Sequence, residues 1–115
     1  MQEKRKYTRK SIDLRAWVLL PSHQRLKVKM IEISHGGTRF LSPLAPEISS
    51  EVELQFSLPS DQVTHEISVK TNVRHTYEVS AMPNIPPDYR YVVGVKFTNL
   101  DEDDQAILER FLMEM

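Results

Sequence analysis

Cysteine is absent from the chain. Disulfides, thiol nucleophiles and cysteine metal centres are therefore excluded, and a cytoplasmic setting is expected. Long apolar runs are missing as well: the longest, Ala16-Trp17-Val18-Leu19-Leu20, falls far short of the ~20 residues that a spanning helix needs. The polar opening Gln2-Glu3-Lys4-Arg5 has no signal-peptide core, so neither secretion nor membrane insertion is expected. Neither sign of charge is in excess, with 15 Lys and Arg against 16 Asp and Glu. Any basic function must then be local. Glycine is scarce, at three residues in 115, and no glycine-rich phosphate loop can be built from them. A nucleophile beside a base is missing too. Ser34 and His35 are neighbours, but adjacent strand residues point to opposite faces. His23, His35, His65 and His75 are scattered without metal-ligand spacing. Neither an enzyme nor a metal or other cofactor is expected.

What the chain does have is alternation. At 115 residues it is long enough for one domain with its own core. Leu14 to Leu20 reads as a strand ended by Pro21-Ser22. Leu26-Lys27-Val28-Lys29-Met30 alternates cleanly, after which Ile31 and Ile33 shift the apolar parity. That shift predicts a bulge near Met30, turning Glu32 and Ser34 outward while Ile33 packs inward. Thr38 to Leu41 forms a short strand. Val52, Leu54, Phe56 and Leu58 face a core, as do Ile67, Val69, Val73, His75 and Tyr77, with Arg74 on the solvent side. His75 thus reads as a satisfied or half-buried histidine. A proline-rich loop over 80–88 precedes a last strand, Tyr91 to Phe97, in which Gly94 marks a barrel bend or the close approach of another backbone or ligand. Asp101 is placed to cap a terminal helix with an apolar stripe of Ile107, Leu108, Phe111, Leu112 and Met115. About six short antiparallel strands and one helix imply an all-β barrel or sandwich spanning residues 14–115.

Residues 1–13 form a basic arm, expected to be mobile, in which Arg5 and Arg9 lie four apart. Their planar guanidinium forks can clamp phosphate or a guanine edge bidentately. The stretch Met30 to Phe40 passes through an acid, a hydroxyl and the pair Gly36-Gly37. Glycines at such a turn permit positive φ and let a ligand approach the backbone. Together, Arg5-Lys6-Tyr7-Thr8-Arg9 and Glu32-Ile33-Ser34-His35-Gly36-Gly37 resemble the two motifs of the PilZ domain family, RxxxR and [D/N]xSxxG. Tyr91 to Leu100 and the amphipathic end resemble that family's closing strand and helix.

The resemblance implies a single-domain, six-stranded antiparallel PilZ-type β-barrel with a C-terminal helix. It also implies a bacterial receptor for cyclic di-GMP, a second messenger with two phosphates and two guanines. The ligand would be clamped between Arg5 and Arg9 on the arm and Glu32, Ser34 and Gly37 on the outer barrel face, with Arg74 joining by parity. Glu32 departs from the family pattern by one methylene. The alternative is therefore a PilZ-fold protein-interaction module with lost or weakened nucleotide binding. A downstream protein partner is expected. Nucleic acid is not, because the predicted strands offer no exposed aromatic platform for bases.

Overall fold

Apolar residues recurring at every second position give each strand one face that must be buried, and six such strands bury it by curling into a closed sheet. The computed structural model describes residues 9–59, 63–79 and 84–115. Its strands are β1 (Lys10–Leu19), β2 (Arg25–Ile33), β3 (Gly37–Ser42), β4 (Glu51–Pro59), β5 (Thr64–Glu78) and β6 (Tyr91–Phe97), followed by helix α1 (Glu102–Glu114). They close as a six-stranded antiparallel barrel in the order β1-β2-β3-β6-β5-β4, with β4 returning to β1. Closure gives each described strand a neighbour on both sides, the β1–β4 seam being short, over Ala16–Leu19 and Glu53–Phe56.

Val18, Val28, Met30, Ile33, Phe40, Leu54, Ile67 and Val93 fill the interior, all of them buried. Each side chain of this size stabilises the fold by about 1.5–3 kcal/mol when fully buried. Helix α1 packs against β4 and adds Leu108 and Leu112 to this core, with Ile107 and Phe111 at its margin. The Asp101 carboxylate accepts from the backbone N–H of Asp104 at 2.8 Å, satisfying one of the orphan donors of the first turn. Met115, expected in the apolar stripe, lies beyond the helix and is exposed. A smaller apolar cluster of Leu41, Val79 and Val92 sits on the outer wall under Ile31, Ile85 and Tyr89.

Three expectations change. Strand β1 begins at Lys10 and not at Leu14, because β2 runs on to Ile33 and offers backbone partners to Lys10 and Ser11. Residues 1–8, with Arg5 and the expected mobility of the arm, lie outside the described residues. In β5, the pairing with β6 slips between Val73 and His75, leaving Arg74 as an extra residue. Such a bulge reverses parity, so His75 and Tyr77 turn to the outer face instead of the core. Lastly, Trp17 is 37% exposed on the outer face of β1, with Arg25 stacked 4.1 Å from its ring centre. An aromatic surface is therefore present, although Arg25 covers one face of it.

Candidate functional site

The bulge anticipated near Met30 is present: β2 pairs Met30 with Phe40 but Glu32 with Arg39, so Ile31 is the extra residue. It lets Ile33 stay fully buried while Glu32 turns outward, half-buried. The register then sets one row across four strands. Glu32 on β2 opposes Arg39 on β3, Arg39 opposes Gly94 on β6, and Gly94 opposes His75 on β5. Neighbouring strands lie about 4.8 Å apart, so this row is a short polar track on the outer barrel wall, interrupted only by a glycine.

The turn from β2 to β3 forms one end of the site. Ser34 donates its backbone N–H to the Gly37 carbonyl at 2.9 Å. Its hydroxyl donates to the same carbonyl at 3.3 Å and accepts from the Gly36 N–H at 3.2 Å. Ser34 is thus the brace of the turn. Among the described residues no glycine has positive φ, so the glycines are not used for left-handed backbone here. Gly37 is required by close approach instead: a Cβ on it would run into the carbonyl oxygen of Val95 on β6. The Gly36 carbonyl accepts from the Phe97 N–H at 2.9 Å, fixing the same edge.

Between this turn and the β5 bulge lies a pocket of about 340 Å³, into which Arg9, Glu32, Ser34, Gly37 and Arg74 are brought together. Arg39, His75, Gly94 and Lys96 line it too. Glu32 takes Arg9 at 3.5 Å through one carboxylate oxygen and Arg39 at 3.8 Å through the other. All three side chains are 27–31% exposed. Long, partly solvated pairs of this kind are worth about 0–1 kcal/mol each, so they orient the arginines without locking them. Burial, then the positive charges of Arg39 and Arg9, hold the His75 imidazole below its ordinary pKa, with Glu32 acting in the opposite sense. Burial and these charges thus favour the neutral imidazole. Its ring stacks with Tyr77, the planes 15° apart and the centroids 6.3 Å apart.

Sequence reasoning did not assign Arg39, His75 or Lys96. Arg39 was within reach of it, since its parity opposite the buried Phe40 puts it on the wall that Glu32 faces. His75 was hidden by the Arg74 bulge. Nothing local in the sequence announces that bulge except the end of the strictly apolar parity after Val73.

The profile of the PilZ domain family matches residues 3–114. Among solved structures, the Bacillus subtilis inhibitor of motility MotI/DgrA superposes with a TM-score of 0.78 at 18% identity, over 98% of this chain and 52% of that one. The PilZ domain of Escherichia coli YcgR with c-di-GMP gives 0.73 at 15% identity, over 97% and 91%. The MrkH–c-di-GMP complex of K. pneumonia gives 0.72 at 16% identity, over 98% and 52%. This chain spans about half the length of the first and third of these. Identities so low speak for the fold. None of the curated proteins matches the sequence.

Proposed function

From the premise that the chain belongs to the PilZ domain family, we propose that it is a receptor for cyclic di-GMP, holding the dinucleotide between the arginines that precede β1 and the outer wall of the barrel. It acts by binding and not by catalysis, in the cytoplasm, and hands the liganded state to a protein partner. Among the described residues no helix is long and apolar enough to cross a membrane.

The observation that carries this reading is the charge of one pocket: Arg9, Arg39, Arg74 and Lys96 surround a single carboxylate, Glu32, among its described lining residues. A dianion with two phosphates and two purines suits that excess. The dinucleotide's guanines offer N1–H and an exocyclic amino group to a carboxylate, and its phosphates and the guanine O6/N7 edges offer acceptors to guanidinium forks. The pocket's volume also falls within the ~300–1,000 Å³ range of small-molecule sites. The YcgR PilZ domain and MrkH have both been solved with c-di-GMP, which adds support. Arg5, Arg9, Glu32, Ser34, Gly37 and Arg74 are the residues assigned to the site. Ser34 serves by holding the turn, and Arg5 by closing from the arm.

Thermal denaturation tests the reading. At a hundredfold excess of ligand over its Kd, the native state gains about 2.7 kcal/mol, which for a domain of this size raises Tm by about 10 °C. Arg9→Ala and Arg74→Ala should lose about half of that rise or more. No rise in the native chain would refute the assignment.

One observation favours a second reading, an interaction module with weakened nucleotide binding. Glu32 stands where the family carries Asp or Asn, and it reaches both Arg9 and Arg39, two cations a ligand needs. Glu32→Asp separates the readings: a rise in Tm appearing only in that variant would favour the module.

A further inference from the structure

Among the described residues, two buried side-chain nitrogens have no hydrogen-bond partner, Nε of Arg39 and Nε2 of His75. Buried polar groups are paired in more than about 90% of cases, and both exceptions line the same pocket. They also belong to one row. Arg39 and His75 flank Gly94 on adjacent strands, and the atoms that a Gly94 Cβ would strike are Cε1, Nε2 and Cδ2 of His75. The far edge of the imidazole therefore lies over the glycine that separates His75 from Arg39 in the row. Any larger residue at position 94 would displace the imidazole.

Building on the cyclic di-GMP reading, we infer that Arg39 and His75 form a base-reading subsite outside the two sequence motifs, taking the O6/N7 edge of a guanine between Arg39 Nε–H and His75 Nε2–H. The chemistry follows from what the two nitrogens can offer. Arg39 Nε can only donate. In the tautomer that carries its proton on Nε2 the neutral imidazole donates as well, and in that tautomer the two cannot pair with each other and together call for adjacent acceptors. Guanine presents O6 and N7 side by side. Adenine puts an amino group in place of O6, setting donor against donor. Phosphate offers acceptors as well, but these are identical in the guanine and adenine dinucleotides, so comparing the two ligands separates base from phosphate.

The test is calorimetric titration of the full chain with cyclic di-GMP and with cyclic di-AMP, for the native protein, His75→Ala, Arg39→Met and Arg39→Lys. Cyclic di-AMP affinities are read by competition where heats are small. Each variant should bind cyclic di-GMP on the order of tenfold more weakly and cyclic di-AMP within about twofold of native. Arg39→Lys should behave as Arg39→Met, because lysine restores the charge and not the directed Nε–H. His75→Leu fills the same space without a donor and replaces His75→Ala if that variant folds poorly. Equal losses for both dinucleotides, rescue by lysine, or unchanged affinities would overturn the subsite while leaving the receptor reading intact. Absence of cyclic di-GMP binding by the native chain would overturn both.

Discussion

Gly94 and His75 are coupled by space. Because the imidazole edge occupies the volume a Cβ would need, Gly94→Ala should lower stability by about 1–3 kcal/mol through overpacking. The same change in a His75→Ala background should cost much less, since the obstacle is gone. Urea unfolding of the four proteins gives the coupling directly, and additive effects would contradict the packing described. His75 also makes stability depend on pH. The free side chain takes up its proton near 6.5, whereas burial and the positive charges of Arg39 and Arg9 delay that step to lower pH in the fold. Between the two values the unfolded chain binds more protons, so stability falls as pH drops below about 6.5 and levels off once the folded histidine is protonated. Above that pH His75 contributes no slope. Unfolding midpoints of native and His75→Gln proteins at about pH 7.5 and about pH 5.5 should show a smaller acid loss in the variant; equal losses would place the effect elsewhere.

The elements owe their positions to patterns of different legibility. Strand β6 (Tyr91–Phe97) and the Asp101 cap stand where alternation and capping chemistry put them, because each pattern is local and unbroken. The Ile31 bulge could be read because two apolar residues change parity around it. The Arg74 bulge could not, since His75 and Tyr77 are compatible with either face and only pairing with β6 decides between them. Likewise Lys10 joins β1 because β2 offers it a partner, a tertiary fact with no trace in a basic, apolar-poor segment. The site shows the same division: Glu32, Ser34 and Gly37 lie within one motif, whereas Arg39 and His75 reach them only through register. At this scale α1 is held by its two buried leucines. Leu108→Ala should cost about 2–5 kcal/mol, while Met113→Ala, at a residue 79% exposed, should stay within about 0.5 kcal/mol. Comparable effects of the two would mean that the helix docks by another face.

The described residues form a closed barrel with a polar track on its wall and Arg9, just before β1, beside it. Closure makes the wall rigid, since every strand is paired on both sides, so the track presents Glu32, Arg39, Gly94 and His75 as a fixed surface. Charge balance over the full sequence is near neutral, at −1, yet the pocket concentrates Arg9, Arg39, Arg74 and Lys96 around one carboxylate. The attraction for a dianion is therefore local, as the bare composition requires of any basic function. A second set of basic residues, Arg15, Arg25, Lys27 and Lys29, the last paired with Asp13 at 3.3 Å, lies around Trp17 on β1 and β2 and contributes no residue to that pocket. Binding at the pocket is the claim on which the account rests, and isothermal calorimetry of the native chain and Arg9→Ala with cyclic di-GMP tests it most directly. Saturable heat in the native protein, with affinity reduced at least about tenfold in the variant by loss of a charge-assisted pair, is the predicted result; no heat at high-micromolar ligand, or equal affinities, would contradict it.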